Sequence, residues 1–413
     1  MKRSIGIVAL GIAAMALART AATQRIFVIG DSTVCNYAAS KYPWAGWGQE
    51  LSLFFKTGTV TVTNNAVGGR SSKSFVTLGQ WAGTLSALQS GDILMIQFGH
   101  NDRTYTDTTR YADTATYRQY LTKYVTEARA KGAHPVFVTP MNMNTWTGTA
   151  VREVFCEKAN DYRAAMIRTG TMLKVPVLDL EKKSKALMDS CGQVYMAKFQ
   201  FMGLDTNEYP NYPTGYSDGT HFQEMGALAN ARMVTEEIAR QPSDSILKLL
   251  APLLAPTYPI AVASTLASGD TITRSTRLPK GATMTAKVKA AKGKTFTHWL
   301  KDGVKIGTDK RYTYVQDTLP HSLLAVYQGA TVGVSQRVVP SERLSARMTA
   351  GALRIEGDGI LGTVAISDAQ GRQILSREVP DRSVEFDRKT LPNGVLFVRS
   401  WTRGTTIRIV NGN

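Results

Sequence analysis

The sequence predicts an α/β fold over residues 24–240, with two small all-β modules behind it. Three observations carry this. Five short strand-like runs lie at 25–29, 59–63, 93–98, 135–139 and 175–178. Stretches of helical periodicity at 48–55, 80–89, 116–130, 150–169 and 223–240 alternate with them. After Gln241 the pattern changes to short alternating runs broken by Gly and Asp-Gly turns. Continuous apolar strands alternating with helices imply a parallel sheet covered on both faces. Five such strands suit a flavodoxin-like, three-layer α/β/α arrangement with strand order 2-1-3-4-5. A ligand then sits beyond the carboxyl ends of the first and third strands.

The elements follow in order. Residues 1–23 begin Met1-Lys2-Arg3, continue with an apolar stretch from Ile5 to Leu17 and end in small residues. That is the pattern of a secretory signal peptide, so the mature protein is expected to be secreted or on the outer cell surface. No later stretch is long and apolar enough to predict a membrane-spanning helix. The alternating unit occupies 24–243. A Pro- and Leu-rich connector, "PSDSILKLLAPLLAPTYP", places a linker at 244–259. One β module is expected at 260–330 and a second, sandwich-like one at 338–413. A chain of 413 residues with 43% hydrophobic and 20% charged residues fits such a multidomain globular protein, which we expect to be monomeric.

The net charge of +17 is unevenly placed: residues 246–413 hold 24 Lys and Arg against 12 Asp and Glu. Such a basic half either contacts an acidic polymer or cell surface, or is a solvated face without a specific partner. It carries no nucleic-acid module signature. The three cysteines, Cys35, Cys156 and Cys191, are too few for a disulfide framework. If one bridge forms, Cys156–Cys191 is the expected pair; three reduced thiols is an equal reading. No His/Cys spacing predicts a metal site, and no cofactor is expected.

Four loops concentrate the polar residues. In "FVIGDSTVCNY" the first strand stops at Gly30-Asp31-Ser32-Thr33. Ser32 is there either as a helix cap or as a nucleophile. "NNAVGGRSSKSF" follows the second strand, and its glycine pair lets backbone N–H groups approach a ligand. "IQFGHND" follows the third strand and offers the Asn101 amide and the His100 ring. "YSDGTHFQEMGA" precedes the last helix; Asp218 there either caps the helix or orients His221 from three residues away. Tyr37, Trp44 and Trp47 lie after the serine. Trp47 reads as core, whereas Trp44 and Tyr37 are candidates for a sugar-stacking wall.

These four blocks, in this order, resemble the SGNH hydrolases, the GDSL-like esterases, with GDST standing for GDSL. "NNAVGGRSS", "QFGHND" and "DGTHFQEMGA" resemble most the rhamnogalacturonan acetylesterase branch of carbohydrate esterases. The likeness covers about residues 24–240. It implies Ser32 as nucleophile, His221 as base and Asp218 as its orienting carboxylate. The implied oxyanion donors are the Ser32 and Gly69 backbone N–H groups and the Asn101 side chain. Substrate contacts are expected from Trp44, Tyr37 and His100. The implied activity is removal of O-acetyl groups from plant cell-wall polysaccharide, rhamnogalacturonan (pectin) first and xylan second. Alternatives are a non-catalytic polysaccharide-binding surface protein and a lipid or thioester esterase of the same fold. In the first β module, "GKTFTHWLKDGVKI" resembles bacterial surface repeats of the internalin B-repeat kind. In the last, "IEGDGILGTVAISDAQGRQIL" and "LPNGVLFVRSWTRGTTIRIVNGN" resemble a type IX secretion sorting domain, which implies contact with secretion machinery.

Overall fold

The computed structural model describes residues 23–158, 160–266, 272–289, 291, 293–328, 344–349, 351–357, 361–368, 373–379, 381–400 and 405–411. The leader read at 1–23 thus lies outside the described residues apart from Thr23.

The chain enters on β1 (Gln24–Ile29), followed by β2 (Trp44–Ala45), α1 (Trp47–Glu50) and β3 (Val60–Asn64). Then come α2 (Ser72–Thr77), α3 (Gln80–Ala87), β4 (Ile93–Ile96), α4 (Thr114–Ala130) and β5 (His134–Val138). A two-residue hairpin of β6 (Trp146–Thr147) and β7 (Ala150–Val151) precedes α5 (Tyr162–Leu173) and β8 (Val177–Leu178). β1, β3, β4, β5 and β8 form one parallel sheet in the order β3-β1-β4-β5-β8, which is the predicted 2-1-3-4-5. β1, β4 and β5 are apolar on both sides because both sides are covered, whereas the edge strand β3 alternates Val with exposed Thr. Ile26, Val28, Ile93 and Met95 belong to one buried cluster, and Phe27, Ile29, Leu94 and Ile96 to the other.

The expected helix at 150–169 is displaced. Residues 150–151 pair in the β6–β7 hairpin, and α5 starts only at Tyr162. Asp161 sets that start: its side chain accepts the Ala164 N–H at 2.7 Å. After β8 come α6 (Leu180–Cys191), α7 (Gln193–Tyr195) and one π turn, Met196–Gln200. β9 (Phe201–Leu204) and β10 (Tyr216–Gln223) follow and pair with β2 in a second sheet, ordered β2-β10-β9. α8 (Glu224–Arg240) then packs its Ala227, Leu228, Ala231 and Val234 into the core.

The 244–259 stretch is not a free tether. It forms α9 (Leu247–Leu250), whose Leu247 and Leu250 are fully buried. Lys56 N–H donates to the Leu253 carbonyl at 2.8 Å, and Ala255 N–H to that of Phe54 at 2.9 Å. Apolar residues at this density bury themselves where a surface is available.

The first β module comprises β11 (Thr257–Ser264), β12 (Thr276–Pro279), β13 (Thr283–Lys287), β14 (Phe296–Lys301), β15 (Val304–Gly307), β16 (Arg311–Val315) and β17 (His321–Tyr327). Five of these form a sheet ordered β12-β11-β17-β14-β15, and β13 pairs with β16. Its core residues Ile260, Met284, Trp299 and Leu323 are continuous with the cluster that contains α8. The second module has β18 (Leu344–Met348), β19 (Ala352–Gly357), β20 (Gly362–Asp368), β21 (Gln373–Val379), β22 (Ser383–Asp387), β23 (Gly394–Ser400) and β24 (Thr405–Asn411). Its sheets, β18-β19-β22 and β21-β20-β23-β24, enclose a separate core that includes Leu353, Ile355, Ile366 and Val398. All three cysteines are free thiols, so the Cys156–Cys191 bridge is not made. Among the described residues no helix is long and apolar enough to cross a membrane.

Candidate active site

Ser32 stands directly beyond the carboxyl end of β1. The strand must stop there. Gly30 leaves no room for a side chain: an added Cβ would lie 2.7 Å from Val34 Cγ2 and 2.8 Å from the Gln97 carbonyl. Asp31 then ties a tight turn. Its carbonyl accepts the N–H groups of Val34 and Cys35, and its Oδ1 accepts Thr33 N–H at 2.8 Å and Thr33 Oγ1 at 2.7 Å. No helix begins at this turn, so Ser32 caps none.

Buried polar residues support the turn from below. Trp47 Nε1 donates to Gln97 Oε1 at 2.7 Å, and Gln97 Nε2 donates to Thr33 Oγ1 at 2.9 Å. His100 Nδ1 is 3.2 Å from Asp31 Oδ2. Burial alone would push the Asp31 carboxyl upward, but His100 and the Thr33 hydrogen bonds outweigh it and hold it below its ordinary value. This corrects one expectation. His100 is buried against Phe155, ring centroids 4.7 Å apart, and sits beneath the serine turn, not on a substrate-facing wall.

The Asp218–His221 segment lies in β10, not on a loop entering a helix as its sequence reads. In a regular strand, residues three apart point to opposite faces. Here the pairing of β10 with β9 shifts between Asp218 and Phe222. Gly219, Thr220 and His221 are thereby left without ladder partners, and across this irregularity the Asp218 and His221 side chains meet. His221 Nδ1 is 2.6 Å from Asp218 Oδ2, and His221 Nε2 is 2.8 Å from Ser32 Oγ. Asp218 Oδ1 also accepts the N–H groups of Thr220 at 2.6 Å and His221 at 3.1 Å. Burial opposes ionisation of Asp218, but the His221 and Thr220 hydrogen bonds prevail and lower its pKa.

Two further loops close around Ser32. Gly69 adopts φ +74°, which glycine tolerates best, and a Cβ on Gly68 would lie 3.7 Å from Ser32 Cβ. Among the described residues, neither Ser32 N–H nor Gly69 N–H has a hydrogen-bond acceptor. Asn101 is held at both ends: Nδ2 donates to the Arg70 carbonyl at 3.0 Å, and Oδ1 accepts from Arg110 Nη1 at 3.2 Å. One Nδ2 hydrogen is thereby left over. Asp102, next in sequence, is fully buried and accepts Ser72 N–H at 3.1 Å and Ser72 Oγ at 2.5 Å. It thus fastens this loop to the first residue of α2. Burial pushes its carboxyl up to about 7.

The aromatic residues act on this site from one side. Trp44 stacks on the His221 ring at 4.5 Å, 25° from parallel. Tyr37 and Tyr216 both meet Trp44 edge-on. Tyr37 OH donates to the Ser32 carbonyl at 2.8 Å, so its polar tip buttresses the serine turn. Sequence reasoning missed the roles of Asp31, Gln97, Asp102 and Tyr216. Asp31 and Asp102 stood in the quoted motifs, but nothing local says that a carboxylate will be buried.

The arrangement is a serine hydroxyl in line with an imidazole and a carboxylate, with unpaired N–H groups at Ser32 and Gly69, a set of groups suited to acyl transfer. The family model of the GDSL-like lipase/acylhydrolases matches residues 28–227. The rhamnogalacturonan acetylesterase RhgT of Bacillus subtilis (strain 168) is 40% identical over 214 residues, 52% of this chain and 89% of that protein. The probable rhamnogalacturonan acetylesterase YesY of the same organism is 34% identical over 229 residues, 54% of this chain and 98% of that protein. A crystal structure of the Bacillus subtilis protein YxiM aligns at 29% identity and TM-score 0.44, covering 53% of this chain and 57% of that one. Residues 28–227 hold the end of β1, all of β3, β4, β5 and β8, Ser32, the Gly69 and Asn101 loops and the bulge at Asp218 and His221. With relatives covered over nearly their whole length, the chain belongs to the GDSL-like lipase/acylhydrolase family and is an esterase.

Proposed function

We propose that this protein is an exported carbohydrate esterase that removes O-acetyl groups from plant cell-wall polysaccharide, rhamnogalacturonan first, through a Ser32–His221–Asp218 acyl-enzyme. The single observation that carries the mechanism is the continuous hydrogen-bonded line from Ser32 Oγ through both ring nitrogens of His221 to Asp218. The names of RhgT and YesY support the substrate class. The basic, apolar and small-residue order of residues 1–23 supports export.

The reaction follows from the groups present. His221 Nε2 takes the Ser32 Oγ proton as Oγ bonds to the acetyl carbonyl carbon. The carbonyl oxygen becomes an oxyanion that meets Ser32 N–H, Gly69 N–H and the remaining Asn101 hydrogen. Asp218 stabilises the imidazolium and fixes its orientation. The C–O bond to the sugar breaks, and its oxygen leaves with the proton from His221. Water then gives a proton to His221 and its oxygen to the acyl carbon, and acetate departs as Ser32 is re-protonated.

The test is acetate release by the full chain, and by its Ser32→Ala variant, from acetylated rhamnogalacturonan, xylan and mannan. Release from rhamnogalacturonan that disappears in Ser32→Ala is expected. Turnover of short acyl-lipid or thioester substrates alone would defeat the carbohydrate assignment. Retained polysaccharide binding with no release by the unmodified chain would favour a non-catalytic binding protein.

A further inference from the structure

The family match ends at residue 227, and Lys287 lies well beyond it at the end of β13. Its side chain is only 3% exposed. Its Nζ is 2.7 Å from Glu208 Oε1 and donates to Gln223 Oε1 at 2.5 Å. The same amine faces the rings of Phe199 and Tyr209, each 5.5 Å away. Glu208 sits in the turn that joins β9 to β10. Gln223 is the last residue of β10, two residues after His221. Gln223 Nε2 in turn donates to the carbonyls of Phe201 at 2.5 Å and Lys198 at 3.1 Å. One buried amine therefore reaches the connection that leads into β10 and the residue that ends it.

Neighbouring contacts on the same module act on the same strands. Lys289 pairs with Glu208 and lies 3.1 Å from Asp205. Tyr42 OH bonds both Glu224, the first residue of α8, and Thr285 of β13, each at 2.9 Å. The Arg311 guanidinium lies 4.5 Å from the centre of the Tyr209 ring. Burying a lysine between a carboxylate and an amide is a poor way to gain stability, since apolar residues of similar volume do as well or better. Such a group instead fixes where its partners lie. β10 has particular need of fixing, because its ladder is interrupted between Asp218 and Phe222, the segment that carries His221.

We propose that Lys287 is a positioning residue for His221, and that the module spanning β11–β17 is thereby a working part of the active site. The proposal rests on the esterase mechanism above. It is tested in the full chain with Lys287→Met and with the double variant Lys287→Met/Glu208→Gln, which removes the carboxylate together with its amine. Three quantities are read: kcat and KM on a small aryl acetate, the melting temperature, and the low-field Nδ1–H proton resonance of His221, assigned by its loss in His221→Ala. Lys287→Met is expected to lower kcat roughly tenfold or more with KM unchanged, and to broaden or remove the His221 resonance. The double variant, in which Lys289 keeps Asp205, is expected to regain part of the melting temperature but not kcat. It takes the place of the single variant if that one does not fold. A folded variant with kcat within about twofold of the unmodified chain and the resonance intact would overturn the proposal, leaving Lys287 a purely structural contact. If the unmodified chain shows no Ser32-dependent hydrolysis, the esterase mechanism fails by itself. The resonance then decides alone: lost in the Lys287 variant, it supports positioning; retained, it overturns it.

Discussion

At the residue scale, Ser32, His221 and Asp218 are joined by bonds of 2.8 and 2.6 Å and are expected to work as one unit. Ser32→Ala and His221→Ala should each abolish nearly all acetate release, and the double variant should be little worse than either, as initial rates will show. Asp218→Asn should leave the melting temperature nearly unchanged and lower kcat on the order of 10⁴, because the ring then loses its correct tautomer. Since hydrogen bonds hold the Asp218 carboxyl below its ordinary value, it remains ionised as pH falls. Asn101→Ala should lower kcat by roughly 10²–10³ with little change in KM, if its free hydrogen faces developing charge. Asp102 makes a different prediction. Its pKa is raised to about 7 in the folded state, so folded protein holds a proton that the unfolded chain releases near the ordinary value of 3.8. Its contribution is fully present below that value and is lost as pH rises through about 7. Relative to Asp102→Asn, the unmodified chain should lose stability across this window, on the order of a few kcal/mol. A urea-unfolding difference that does not change with pH would contradict it.

At the element scale, the strands of the main sheet were legible because continuous apolar runs and their order in the chain suffice for a doubly wound sheet. The capped start of α5 was missed because residues 150–160 are also apolar enough to mimic a longer helix, while Asp161 fixes the true beginning. The strand character of 216–223 was missed for a physical reason. Asp-Gly-Thr-His has turn composition, and it lies in a strand only because β2 and β9 flank it. Within the serine turn, Gly30→Ala should cost about 1–3 kcal/mol of stability, since its methyl would press on Val34 and the Gln97 carbonyl. The same shift should lower kcat, and thermal melting alongside steady-state rates separates the two effects.

At the scale of the whole molecule, the connector and the first β module are packed onto the α/β unit, not strung behind it. A fragment of residues 24–243 keeps every strand of the parallel sheet, so it is expected to fold. It loses the fully buried Leu247 and Leu250 and the contacts of β13. Calorimetry should show it melting lower by roughly 10 °C or more, taking about 2 kcal/mol for each buried leucine. Equal melting temperatures would mean that the docked module adds no stability.

The sequence by itself determined the α/β class, the strand order and the four polar motifs that meet at Ser32, because apolar periodicity and short motifs are local properties of the chain. It also singled out Ser32, Asp218 and His221, since a serine after a strand and an Asp-x-x-His pair can be read without coordinates. Only the tertiary structure decided that a bulge brings Asp218 to His221, that His100 faces inward to Asp31, and that Trp44 stacks on the His221 ring. Only it, too, decided that Lys287 is seated against Glu208 and Gln223. Each of these depends on which surfaces, distant in sequence, are brought into contact, and a local pattern carries no information about its distant partners.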